Sequence, residues 1–357
     1  MEDPAQDLLD GWRTLAEWER LTPLGGGPGH RVWNRLVDRL TAIAERALLD
    51  PAVVERLTAA ARSDPDPGVR FRVRQWLEPD VPAPGLPLEH WLGHPLVRLD
   101  HLGLDLEPGI VVVPESARPP ATLAGERDRH TWLLGTPSDD GQPWPRRCDG
   151  VPLAHLLQVE LGGPEQEHEG WHAPLPGSGV LQVFHDLEAT GDDPHELAET
   201  RWLIRHVADP GRTPAPPPDD LGDAHRPRRP AVRRLTWTVP SPLDVELTDE
   251  ESERLDLAHE HVMRTATDDP WRRDLGDHVE HWPLLLGHSP LGRNEAVERL
   301  AGVLPTDGPD DYVMLLDIPG VGPFEDWFGD EGHLEVWIRD QDLRAHRLDL
   351  AWPLLRS

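Results

Sequence analysis

One arrangement of apolar segments occurs twice in the chain, on either side of a proline-rich stretch, and it restricts the possible architectures more than any other feature. The first copy runs from His130 to Gly135, then Leu156 to Leu161, then Gly179 to Asp186. The second runs from His281 to Gly287, then Leu315 to Ile318, then Gly332 to Arg339. In each copy an apolar segment closes on glycine, a short apolar run follows, and a further run opens with glycine and carries an aromatic at the same offset. A single folding unit used twice is the expectation, with a first half at 81–208, a proline-rich linker at 209–234 and a second half at 235–357.

Within these runs, residue period separates strand from helix. Leu334, Val336 and Ile338 alternate with His333, Glu335, Trp337 and Arg339, which predicts a strand with one polar face. Leu181, Val183 and His185 take the corresponding face of the first copy, and Ile110–Val113 reads as a fully buried strand. Residues 1–80 carry the longer helical period: Val32, Leu36, Leu40, Ile43, Ala44 and Ala47 share a face. Asp50-Pro51 and Asp66-Pro67 look like N-caps followed by proline in the first turn, opening helices lined by Val53, Leu57, Ala60 and Ala61 and by Val69, Val73, Trp76 and Leu77. The segment Asp64–Arg70 faintly resembles a HEAT-type repeat, and the glycine cluster Gly25–Gly29 reads as a link between helices. Thr248–Glu251 forms a capping box opening a helix with Leu255, Ala258, Val262 and Ala266 on one face and Glu250, Glu253, Asp256 and Glu260 on the other. Seven prolines in residues 209–230, with Asp219, Asp220, Arg226, Arg228 and Arg229, predict a solvated linker.

Composition excludes several chemistries. The 357 residues include 65 Asp and Glu against 35 basic residues, a net charge of −30, so phosphate-rich partners such as nucleic acid and anionic membranes would be repelled. The same charge points to a basic protein partner. There is no lysine anywhere, which removes Schiff-base chemistry and the phosphate-loop lysine. Cys148 is the sole cysteine, so no internal disulfide or thiolate cluster can form. An acidic start and the absence of a long apolar run predict cytoplasmic residence.

Three groups of histidines lie close enough in sequence to suggest metal ligation: His259 and His261, His278 and His281, and His168 with His172. None has the His-Glu-x-x-His spacing that places two imidazoles on one helix face. Gly287–Gly292 is one residue too long for a nucleophile elbow, and Pro290 removes an amide where an oxyanion donor would be needed. His185 reads as a core histidine satisfied by a hydrogen bond, and Asp326, Asp330 and Glu331 as turn residues rather than calcium ligands. Neither cofactor, metal site nor catalytic set is expected.

Trp144-Pro145, Gly150–Leu153, Leu156–Gln158 and the run Leu175–Asp186, followed by Trp327–Gly332, Asp342-Leu343, Arg347 and Asp349, resemble the bacterial YwqG-like family over roughly residues 81–357. The resemblance implies an α+β fold behind a small helical leader, cytoplasmic residence and a toxin-neutralising, immunity-like role. Two positions depart from the family pattern: Asp317 stands where glutamine is expected, and His288–Gly292 replaces an aromatic-and-glutamine segment. The leading expectation is therefore a non-enzymatic protein-binding protein with an acidic surface. The alternative is an enzyme or small-ligand binder whose polar cleft between the halves would gather Trp144, Gln158, Asp186, Asp317, Trp327 and Asp330.

Overall fold

A computed structural model of the protein describes residues 3–21, 50–65, 106–114, 130–162, 175–249, 282–306, 311–329 and 332–357, with isolated positions between them. Among the described residues the two larger bodies of core are one helical and one of sheet.

The helical core begins with α1 (Pro4–Leu21), whose Leu8, Trp12 and Leu15 recur at helix spacing and are buried. It packs against α2 (Pro51–Ser63), which presents Val53, Leu57 and Ala61. The expected cap is there: the Asp50 side chain accepts from the Ala52 amide at 2.9 Å, and Pro51 occupies the first turn. Leu40, Val69 and Val73 join the same core. Asp64, buried at the end of α2, accepts from the Arg13 guanidinium at 2.6 Å, tying the two helices together by charge as well as by apolar contact. The Gly25–Gly29 link and the Asp66-Pro67 cap lie outside the described residues.

The remainder is a single sheet whose pairings are all antiparallel: β1 (Glu107–Pro114), β2 (Trp132–Leu133), β3 (Ala154–Glu160), β4 (Val180–His185), β5 (Trp202–Val207), β6 (Arg229–Thr238), β7 (Leu284–Leu285), β8 (Tyr312–Pro319), β9 (His333–Arg339) and β10 (Trp352–Arg356). Their order across the sheet is β10-β9-β8-β7-β1-β6-β2-β3-β4-β5. β1 and β6 form the long central pair, running from Glu107 opposite Thr238 to Pro114 opposite Ala231. The register slips once between His155 and Leu157 on β3 and once between Met314 and Leu316 on β8. Such bulges sharpen the local twist and bend the sheet.

The bending brings the two ends of the sheet towards each other as a near-barrel. The Leu355 amide donates to the Thr190 carbonyl at 2.9 Å, the Trp352 indole donates to the Gly191 carbonyl at 2.7 Å, and the rings of Trp202 and Trp352 meet edge to face at 4.8 Å. Gly191 is required at this seam. Its φ is +78°, and a Cβ there would lie 1.9 Å from the Pro353 carbonyl oxygen. The seam also protects an otherwise open strand edge.

Three expectations hold only in part. The small helical leader is present, but the α+β domain behind it is mostly β, with α3 (Arg293–Val303) and short helical turns beside the sheet among the described residues. β9 is buried on both faces, because Glu335 and Trp337 are as inaccessible as Leu334 and Val336. The polar side chain was legible, but its internal partners lie far away in sequence. The proline-rich stretch is largely exposed over 209–230, as expected, but Leu221 is buried, residues 229–234 belong to β6, Arg228 covers the Trp132 ring at 3.5 Å, and Arg226 covers Trp327 at 5.0 Å. Guanidinium stacking on indole anchors a segment whose prolines supply no amide for a ladder. The capping box holds, with the Thr248 amide donating to Glu251 at 2.9 Å, and Leu255 is buried; the rest of that helix face lies outside the described residues.

Candidate functional site

Matching positions of β3–β4 and β8–β9 carry buried polar pairs: Gln158 faces Gln182, and Asp317 faces Glu335. These are the two polar centres of the sheet.

In the first centre the turn after β2 folds back over the strand pair. Leu134 and Gly135 take positive φ, 60° and 68°, reversing the chain so that Ser138 arrives over the amides. The Ser138 amide donates to Gln158 Oε1 at 2.9 Å, and Gln158 Nε2 donates to the His130 carbonyl at 3.0 Å and to Ser138 Oγ at 3.1 Å. Gln182 Nε2 donates to Gln158 Oε1 at 2.9 Å and to the Ser138 carbonyl at 3.2 Å. Arg205, opposite Gln182 on β5, donates to its Oε1 at 2.9 Å and pairs with Asp140 at 3.0 Å. Every amide atom is therefore satisfied without a net charge on the two glutamines. Burial pulls the Arg205 guanidinium below its ordinary value, with Asp140 opposing.

Charges fill the corresponding place in the second centre. Leu286 and Gly287 also turn with positive φ, 62° and 87°, bringing Ser289 over the pair. Glu335 accepts from Ser289 Oγ at 2.5 Å, from the Trp337 indole at 3.0 Å and from Arg356 at 2.6 Å. Arg356 also donates to the Gly292 and Leu291 carbonyls at 2.7 and 2.8 Å, which fixes the turn entering α3. Asp317 lies 2.8 Å from Nδ1 of His333. Burial and the neighbouring Asp317 push the Glu335 carboxyl up, against the pull of Arg356 and Ser289. For His333 burial acts downward, yet the charge and hydrogen bond of Asp317 prevail and the imidazole is raised. His333 was not singled out from the sequence; only its place beside Asp317 across the β8–β9 ladder marks it.

The six expected site residues divide as follows. Gln158 and Asp317 take matching places in the two centres. Trp144 packs edge to face on Phe184 at 5.7 Å, and its indole donates to the Leu153 carbonyl at 2.9 Å. Because Arg205 also lies over Phe184, at 5.3 Å, Trp144 borders the first centre. Asp186 does other work: it accepts from the Glu188 and Ala189 amides at 3.0 and 2.7 Å and pairs with Arg201 at 3.0 Å, holding a turn. Trp327 is covered by Arg226, and Asp330 lies outside the described residues.

Two further histidines are buried in the first half. His185 accepts from the Leu187 amide at Nδ1, 3.0 Å away, as expected of a core histidine, but its Nε2 finds no hydrogen-bond partner. Neither ring nitrogen of His155 finds one. Burial drives them down to about 4 and about 3, so both are neutral. Asp326 is exposed in a turn with φ 70°, and no group of three or more His, Cys, Asp or Glu suited to a metal occurs among the described residues. The clusters at His168, His259 and His278 fall outside them.

A chain of this form is a β-rich domain whose polar centres are built inside the sheet. The family described as Domain of unknown function (DUF1963), to which the YwqG-like resemblance points, matches residues 135–355 and so spans the sheet from the turn after β2 to β10. The chain belongs to this family. No curated protein sequence matches it. No helix among the described residues is long and apolar enough to cross a membrane.

Proposed function

We propose that this is a non-enzymatic protein-binding protein that recognises a basic partner through its acidic surface, with neutralisation of a toxin as the concrete form of that role. The observation that carries it is the net charge of −30, together with the way the first centre is closed. Gln158, Gln182 and Ser138 spend their hydrogen bonds on one another, on backbone and on Arg205, so this centre is occupied from within the sheet. A net charge of this size accelerates capture of a cationic surface. The reading includes residence in the cytoplasm and descent of the sheet from two copies of one unit. In support of the duplication, exchanging β1–β5 for β6–β10 leaves the strand order unchanged when read from the other end, and turns and bulges coincide.

The test is to express the chain with the product of the adjacent reading frame, purify the complex and titrate it at rising salt. Affinity should fall at least about tenfold between roughly 0.05 and 0.3 M salt, because exposed charges are screened beyond about 10 Å. Salt-independent binding would end the electrostatic version.

A second reading, an enzyme or ligand binder, draws on the second centre. The matching place is built without carboxylates in the first half, so the fold does not require Asp317, His333 and Glu335, and perturbed titrating groups concentrate at functional sites. An imidazole oriented by a carboxylate is a general-base arrangement. Turnover lost in His333→Gln and in Asp317→Asn, with the fold intact, would favour it.

A further inference from the structure

Two of the three large apolar side chains most exposed among the described residues, Val151 and Leu197, stand on adjoining loops, and the charges around them are layered. The loop 146–151 lies against the segment 186–201, because the Cys148 amide donates to the Glu199 carbonyl at 2.9 Å. Arg147 and Arg201 both face Asp186, at 3.7 and 3.0 Å, so the two loops share one ionic floor. Above that floor the acids point outward. Asp149, Glu188, Glu199 and Asp220 are 46, 79, 46 and 59% exposed, whereas their partners Arg147, Arg201 and Arg146 are 21, 22 and 38% exposed. Arg147 and Arg201 are spent below, and carboxylates make up most of the rim.

An apolar centre inside a polar rim is the usual anatomy of a recognition patch, and here the rim is mainly acidic, its one half-exposed arginine, Arg146, being paired with Asp220 at 2.7 Å. We propose that Val151 and Leu197, rimmed by Asp149, Glu188, Glu199 and Asp220, dock a basic protein segment that presents an apolar side chain between arginines or lysines. This rests on the protein-binding reading above and gives it a location. Lysine or arginine on the partner completes the rim, and its apolar residue covers Val151 and Leu197, so both charge and shape select the same occupant. Cys148 lies exposed between the two loops and reports on occupancy.

The experiment uses the full chain and two synthetic peptides of equal charge, one with lysines flanking a central Trp and Leu, the other with Ser at both apolar positions. Calorimetry at low salt should show the apolar peptide binding about tenfold tighter, as expected for one or two buried side chains. Alkylation of Cys148 by iodoacetamide should slow when it is bound. The variant Val151→Ser with Leu197→Ser changes two exposed positions; it should fold normally by circular dichroism and bind both peptides equally. An apolar preference that survives in this variant, or a Cys148 rate that the peptide leaves unchanged, would overturn the patch while the acidic-surface reading stands. If neither peptide binds at low salt, both fall.

Discussion

The two polar centres occupy corresponding places in one sheet and are built from different chemistry. Gln158 and Gln182 close on themselves as neutral amides, while Asp317 and Glu335 require Arg356 and His333 to offset their charge. Sheet geometry therefore sets where a polar pair sits but not whether it is ionised. The cost of burying a charge is recovered only when its partners are all in place. The first centre should tolerate loss of a member better than the second.

Glu335→Ala tests the largest difference. It leaves the buried Arg356 with only the exposed Glu295 carboxylate, 3.3 Å away, and removes the acceptor of Ser289 and Trp337, so a loss of about 3 kcal/mol is expected in urea unfolding. Gln182→Ala removes two neutral bonds and the one accepted from Arg205, which keeps Asp140, so about 1–3 kcal/mol is expected. Equal losses would show that charge plays no special part in the second centre.

The next effect is acid lability of the first half. His155 and His185 are held neutral by burial, at about 3 and about 4, whereas the unfolded chain protonates them near pH 6.5. The unfolded state therefore binds more protons below pH 6.5, and stability falls as pH falls. Between roughly pH 6.5 and 5 the loss is on the order of 2 kcal/mol for each histidine. His155→Phe should flatten its share of the slope, which separates this effect from the general relief of repulsion on acidification. An unchanged slope would mean that the ring finds a proton acceptor when charged.

These centres also show what could be read from the chain. Strand positions, the turn at Gly287 and the capped helix at Asp50 follow from local period and local chemistry, and they were legible. Gln158 and Asp317 were identified because the repeat aligned them. Arg356, His333 and Ser289 were not, since their contacts depend on tertiary pairing: His333 meets Asp317 across 16 residues, Arg356 meets Glu335 across 21, and Ser289 meets Glu335 across 46. Burial of the polar face of β9 was missed for the same reason: alternation reports which side chains are polar, and only tertiary pairing decides whether water reaches them. Exposure of the proline-rich stretch followed from composition, but its entry into β6 and the stacking of Arg226 and Arg228 on indoles from either side of it in sequence did not, because those contacts are tertiary.

A smaller effect comes from replacing the ion pair as a unit. Glu335→Leu with Arg356→Met removes both charges at once and leaves Asp317 with His333. Trp337 and Ser289 lose an acceptor, at about 1 kcal/mol each, offset in part by apolar packing. The double variant should thus be more stable than Glu335→Ala alone, measured by the same unfolding curves. If the two changes simply add, the pair is not coupled and the contrast between the centres is one of packing.

The smallest effect has the opposite pH sign and belongs to His333. It faces Asp317 from β8, Glu335 on its own strand and Arg356 from β10, and the carboxylates raise it above its ordinary value. The folded chain then binds more protons than the unfolded one as pH rises past about 6.5, so this contribution is complete below that pH and is lost as pH climbs through the folded value. Acid weakens the half with neutral amides, and mild alkali weakens the half with charges. Proton resonances of the imidazole followed through a pH titration, beside unfolding curves for the wild type and His333→Gln, measure it directly. The wild type should lose stability relative to His333→Gln on the alkaline side. A gain instead would mean that Arg356 outweighs both carboxylates at the imidazole, and the second centre would have to be redrawn with its proton elsewhere.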